Sequence, residues 1–154
     1  MVSKSRDNRL FYWLNVAQRR VLNAVDQSAE ERIGITTTQL GLLFAIGRRD
    51  GVPLKDVCQA LALGAPAVTG LSHRMEKLGL VKRQPDPVDR RAVRLVLTEK
   101  GRSTREKSQQ LLEDMNLALT QDLSEEDLAA TLRVLKTLSK NFTSEALQNP
   151  SEES

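Results

Sequence analysis

Apolar residues recur at helical spacing along most of the chain, and the period changes to two at one place. From Asp7 to Glu30, Leu10, Phe11, Leu14, Ala17, Val21, Leu22 and Val25 fall three or four residues apart. This predicts a long amphipathic helix with Phe11 facing inward. In "GITTTQLGLLFAIGRRDG" the threonines can cap a helix carrying Leu40, Leu43, Phe44 and Ile46, and Gly51 can end it. "VPLKDVCQALAL" reads as a short extended start at Val52–Pro53, then a helix with Leu54, Val57, Cys58 and Leu61 inward. After a break at Leu63–Gly64, "APAVTGLSHRMEKLG" predicts another helix, with Pro66 in its first turn and Gly79 past its end. The period-two segments "LVKRQ" and "AVRLVL" flank a Pro/Asp loop as a two-stranded antiparallel hairpin. Thr98 then caps a long helix with Leu111, Leu112, Met115 and Leu119 on its apolar face. Ser124 caps the last helix, and Asp127 stands where a capping box usually has Glu or Gln. Leu128, Leu132, Leu135, Leu138 and Phe142 form that helix's stripe, and residues 148–154 read as a flexible tail.

This order predicts a mainly α fold with a small β-hairpin wing, in one domain spanning residues 1–154. A short helix, a tight turn and a second helix make a helix-turn-helix, and the hairpin after it makes a winged lobe over residues 36–98. The helices at 7–30 and 99–145 carry apolar stripes that so small a lobe has little room to cover. A second copy would bury them, which predicts dimerisation helices and a two-fold homodimer.

Composition narrows the setting. No apolar run approaches the roughly 18 residues of a membrane span, and the N-terminus does not read as a signal peptide. The single cysteine, Cys58, excludes an internal disulfide. A soluble, cytoplasmic protein is expected. Net charge is +3, but it is unevenly spread. Residues 74–107 hold 11 Lys and Arg against 5 Asp and Glu, whereas residues 108–154 hold 3 against 9. A basic middle beside an acidic end suggests that one part meets a polyanion.

The chemistry gathers on the second helix of the turn and on the hairpin. Val68, Leu71, Met75 and Leu78 share one helix face, the expected core side. Pro66, Thr69, Gly70, His73 and Lys77 lie opposite, with Arg74 at the flank. Small residues let such a backbone approach a major groove, and Thr69, His73 and Arg74 offer groups for bases or phosphates. An ordinary solvated helix face would look the same. On the hairpin, Arg90 and Arg91 have the size and charge to follow a phosphate backbone and enter a minor groove. Asp89, two residues before Arg91, can hold that guanidinium in place, while Pro85 and Pro87 stiffen the loop. A catalytic pair of Asp86 and Asp89 would need a pocket that raises one pKa, and the neighbouring arginines act the other way. With one histidine and no Cys/His cluster, neither a metal nor a cofactor is expected. An enzyme has almost no support.

With these residues in place, the sequence resembles the MarR family of bacterial transcription regulators from about Asp7 to Phe142. "DPVDRRAVRLVLTEKG" is close to the family's wing pattern of Asp-x-Arg, spaced apolars and Leu-Thr-x-x-Gly. "VTGLSHRMEKLGLVKR" resembles its recognition helix and first wing strand. The resemblance implies a homodimeric regulator, expected to be a repressor, on pseudo-palindromic double-stranded DNA. It places Arg91 in the minor groove with Asp89 as partner, Arg90 at the phosphates, and Thr69, His73 and Arg74 toward the major groove. It also implies release by a small aromatic or phenolic anion, with Tyr12 or Trp13 as candidate ligand contacts, although packing, for instance in the dimer seam, is the favoured reading of these residues. Some family members sense oxidants through a cysteine near the N-terminus, but Cys58 sits on an apolar face before the turn and reads as a buried hydrophobe. The alternative is a winged protein-interaction module without DNA binding, which Arg90, Arg91 and Arg94 disfavour.

Overall fold

The computed structural model describes residues 9–47, 49 and 51–141. Helix α1 (Leu10–Ile33) is followed by α2 (Thr37–Ile46), strand β1 (Val52–Pro53), α3 (Leu54–Leu61) and α4 (Ala65–Lys77). Strands β2 (Val81–Pro85) and β3 (Val93–Leu97) form the hairpin, and α5 (Glu99–Thr120) and α6 (Glu125–Asn141) follow. The chain divides into two compact units, Met1–Glu113 and Asp114–Ser154, with α5 continuous across the boundary. No helix among the described residues is long and apolar enough to cross a membrane. The start expected at Asp7, the Phe142 end of the last stripe and the tail at 148–154 lie outside the described residues.

Local chemistry sets the helix ends in the first unit. Gly34, at φ 77°, closes α1 in the left-handed region that glycine adopts without a Cβ penalty. Thr36 and Gln39 form a full capping box on α2: the Thr36 hydroxyl accepts the Gln39 N–H at 3.3 Å, and the Gln39 side chain accepts the Thr36 N–H at 2.9 Å. The carboxylate of Asp26 accepts the Thr37 N–H at 2.6 Å and ties α1 to the start of α2. Helix α2 stops at Ile46, earlier than Gly51; that glycine, at φ 90°, instead leads into β1.

The core lies where α2, α3 and α4 meet the sheet. Leu42, Leu43, Ile46, Val57, Val68, Met75 and Leu95 are fully enclosed there. The sheet has three strands, not two, in the order β1-β3-β2 and antiparallel throughout. Val52 pairs with Leu95, and Val81 with Leu97. A two-residue strand is too short to show a period, so sequence could mark its extended start but not its pairing. Leu78, expected in the core, is 44% exposed. The helix has ended by then, and Gly79 at φ 71° turns the chain so that Leu80 enters the core instead. Cys58 is partly buried against the core with a free thiol.

Expected burial fails along the first half of α1. Phe11 is 80% exposed, and only Val25 and Ala29 of this helix are buried, because α1 meets α2 through its later turns. In the second unit, the Ser124 hydroxyl accepts the Asp127 N–H at 3.1 Å and donates to the Asp127 carboxylate at 2.6 Å. Asp127 therefore bonds the capping hydroxyl, whereas a capping box would have it reach the Ser124 backbone. Helix α6 buries no residue and leaves Leu132, Val134 and Leu135 exposed.

The first turn of α5 packs on the chain leaving α4. Thr98 caps α5 by accepting the Gly101 N–H at 3.0 Å. A Cβ added to Gly101 would stand 2.0 Å from the Leu80 carbonyl oxygen, a backbone atom that has no rotamer by which to yield. Gly101→Ala is expected to lower stability by roughly 1–3 kcal/mol through overpacking. Urea denaturation of the variant against wild type measures this, and an unchanged midpoint would show that the turn can yield.

Candidate nucleic-acid interface

Val68, Leu71 and Met75 anchor α4 to the core, and this fixes which side faces outward. Pro66, His73, Arg74 and Lys77 are exposed, while Thr69 and Gly70 are half-buried. Arg74 and Lys77 occupy the last turn, where the helix dipole favours cations. A Cβ at Gly70 would have only ordinary contact with its own chain, 3.6 Å from Arg74. The fold thus has no need of glycine there, but the missing side chain leaves the helix surface low. His73 is less free than its sequence position implies: its Nε2 lies 2.8 Å from an Arg83 guanidinium nitrogen, and its Nδ1 lies 4.0 Å from the Glu76 carboxylate.

The wing turn is organised by Asp86, the acid to which sequence gave no place in DNA binding. Its Oδ1 accepts the N–H groups of Val88 at 2.8 Å and Asp89 at 3.0 Å. Its Oδ2 takes the Nε–H of Arg94 at 2.5 Å. The Asp86 N–H bonds the Ala92 carbonyl, and the Ala92 N–H bonds that of Asp89, each at 2.9 Å. Asp86 is only 7% exposed although it belongs to a loop. The Arg94 guanidinium, and then the Asp89 and Val88 amides, hold its pKa down from 3.8 to about 2.

Asp89 does not grip the Arg91 guanidinium as the sequence suggested. Its carboxylate accepts the Arg91 backbone N–H at 3.0 Å. The separation of two residues suits a local Asx-type bond, so Asp89 shapes the main chain and not the side chain. Arg90 and Arg91 are exposed, with no side-chain hydrogen bond among the described residues. Val88, which sequence reading passed over, is 90% exposed at the tip. The Asp86–Arg94 pair was also missed; opposite charges eight residues apart across a turn were the available signal. Arg83 gave no comparable signal, because its partners belong to a different element.

Two cavities flank these elements. One of about 510 Å³ lies at the base of the wing, between Leu54, Lys55, Val88 and Arg91. The other, about 110 Å³, is lined by Ile33, Gly34, Ile35, Leu78, Leu80, Lys100 and Thr104. Tyr12 and Trp13 line neither. They are exposed and meet edge to face, with ring centroids 5.2 Å apart.

Comparison with known proteins fits this geometry. The MarR family profile matches residues 33–92, which hold α2 to α4 and the wing loop. The chain is 30% identical over 123 residues to the uncharacterized HTH-type transcriptional regulator YhbI of Bacillus subtilis, covering 80% of this chain and 77% of that protein. The chain belongs to the MarR family. This MarR-family chain is also 35% identical over 98 residues to the transcriptional activatory protein BadR of Rhodopseudomonas palustris, covering 62% of this chain and 55% of BadR. The match therefore spans little more than half the length of BadR. Among solved structures, BpsR of Bordetella bronchiseptica superposes with a TM-score of 0.75 at 26% identity, covering 85% of this chain and 98% of that one. That structure concerns regulation of BpsR's DNA binding by 6-hydroxynicotinic acid. MarR-family relatives are transcription regulators and not enzymes, and this chain carries the family's DNA-binding winged helix.

The lowered pKa of Asp86 gives a pH dependence of definite sign. The carboxylate form is the one that bonds Arg94 and the turn amides. Its contribution is complete above 3.8 and disappears as pH falls through about 2. Val88 and Asp89 amide resonances should titrate with a midpoint near 2, and Asp86→Asn should remove that step. A midpoint near 3.8 in the wild type would mean that the carboxylate bonds are not formed in solution.

Proposed function

We propose that this chain works as a homodimer on a pseudo-palindromic operator, with α4 of each copy in successive major grooves and each wing beside it. The observation that carries the reading is a hydrogen-bonded wing turn presenting Arg90 and Arg91 with no side-chain hydrogen bond among the described residues, beside a helix whose outward face is low and basic. Guanidinium groups held this way suit the narrow, electronegative minor groove and the phosphates along it. Pro66, Thr69, Gly70, His73, Arg74 and Lys77 would face the major groove, and Asp89 would shape the backbone that carries Arg91. The exposed stripe of α1, including Phe11, Tyr12 and Trp13, supports dimerisation, since apolar surface of this extent favours a cover. Two-fold symmetry would then place the recognition helices about 34–36 Å apart, one DNA turn.

We read the outcome as repression, relieved by a small aromatic anion. BpsR, whose DNA binding is regulated by an aromatic acid, supports the second half of this reading. The 110 Å³ cavity has apolar walls from Ile33, Ile35, Leu78 and Leu80 and one cation, Lys100, whose Nζ donates to the Leu78 carbonyl at 2.8 Å. An anion competing for Lys100 would loosen the end of α4. BadR's description as an activator favours a second reading, activation, in which the same DNA contacts lie at a different distance from the promoter.

Fluorescence anisotropy with fragments from the neighbouring promoter tests DNA binding, and no binding at low salt would refute it. Arg91→Ala should weaken specific binding by roughly tenfold to a hundredfold, as expected for one lost groove-directed arginine worth about 1–3 kcal/mol. Its thermal unfolding should match wild type, since Arg91 is exposed. Aromatic carboxylates should release DNA from wild type at lower concentration than from Lys100→Met. Equal release from both would move the effector away from that cavity.

A further inference from the structure

We infer that Arg83, a wing-strand residue, is a positioning residue for the recognition helix: it fixes the tautomer and orientation of His73 and so sets the base preference beneath that ring. The inference rests on the reading that α4 enters the major groove.

The geometry is specific. One Arg83 nitrogen, Nη1, lies 3.0 Å from the Ser72 hydroxyl and 2.8 Å from His73 Nε2. A guanidinium can only donate, so both partners accept. The two N–H bonds of Nη1 match these two acceptors. The Ser72 hydroxyl spends its own proton on the Thr69 carbonyl at 2.8 Å, which leaves a lone pair for Arg83. Ser72 is completely buried, so its rotor is enclosed. The backbone N–H of Arg83 bonds the Glu76 carboxylate at 3.2 Å, and the other oxygen of that carboxylate is 4.0 Å from His73 Nδ1. Strand β2 is thereby joined to α4 by its main chain and its side chain together.

One consequence is chemical. If Nε2 accepts, the neutral ring carries its proton on Nδ1. A free His73 could offer either nitrogen as donor or acceptor to a base edge. Held by Arg83, its Nε2 is occupied and the ring is oriented. The remaining N–H groups of Arg83, on Nε and Nη2, have no partner among the described residues and are available to a phosphate. Arg83 would thus join backbone contact to base reading through a neighbour it never leaves.

The chain has one histidine, so its ring can be observed without ambiguity. Long-range proton–nitrogen NMR of the free protein, at a pH where the ring is neutral, should show the Nδ1–H tautomer. Arg83→Met should yield a mixture, and Arg83→Lys, which keeps a donor, should shift the ring back toward Nδ1–H. A wild-type ring carrying its proton on Nε2 would overturn the inference whether or not DNA is present. Binding to a panel of half-site substitutions gives the second readout. Arg83→Met and His73→Ala should flatten preference at the same base pair by about tenfold, and the double variant should flatten it no further. Arg83→Met that binds DNA with the wild-type order of base preference would also overturn it. Failure of the wild type to bind any DNA would instead remove the functional reading, and the tautomer spectrum would still test the brace itself.

Discussion

Three successive carbonyls after α4 accept hydrogen bonds from Thr98 and Lys100 at the start of α5. Lys100 Nζ meets the Leu78 oxygen at 2.8 Å, the Thr98 hydroxyl meets that of Gly79 at 2.6 Å, and the Thr98 N–H meets that of Leu80 at 3.1 Å. The last turn of α4 is closed by the chain itself, the N–H groups of Leu78, Gly79 and Leu80 bonding the carbonyls of Arg74, Glu76 and Met75. The three carbonyls that follow are taken up at the start of the next long helix, and the contact closes only because Gly101 has no Cβ. The placement of α4 is therefore not a property of the helix-turn-helix alone. Any movement of the α5 first turn must either break these bonds or carry α4 with it. The small cavity beside Lys100 lies against this clamp, so the proposed effector would act on the joint and need not touch the DNA-facing side.

The wing follows a separate logic. Its tip carries like charges that repel each other, and a flexible loop would disperse them at a cost in order on binding. Asp86 counters this from beneath, taking two amides with one oxygen and Arg94 with the other. The carboxylate is spent on the loop and on Arg94, so it does not neutralise Arg90 or Arg91. Asp89 acts in the same way on the Arg91 backbone. Both acids shape the presentation of positive charge while leaving that charge in place.

Much of this was legible in the sequence, for identifiable reasons. Long stripes and cap residues gave α1, α2, α5 and α6, because periodicity and capping are local. The alternation around Val93–Leu97 gave the hairpin, and the combined order gave the winged lobe. Asp86 escaped because its role depends on a turn that folds its carboxylate back over the next residues and across to Arg94. Leu78 was misplaced because the helix stops one residue before it, and a period cannot show where a period ends. Phe11 was expected inside because it falls in the helical spacing of the α1 stripe, but spacing shows a shared face and not its cover, and among the described residues Phe11 is 80% exposed. Arg83 escaped because Ser72 and His73 are its neighbours only after the chain has turned at Gly79.

The bonds described for the wing turn all fall between Asp86 and Arg94. A loop closed by its own residues is modular. A side-chain change at exposed Val88 would leave the turn intact, because Val88 bonds Asp86 through its backbone N–H alone. Helix α4 has no such independence, because its end and its outward face are bonded to both β2 and α5. The fold therefore separates a turn closed by its own residues from a helix held by two neighbouring elements.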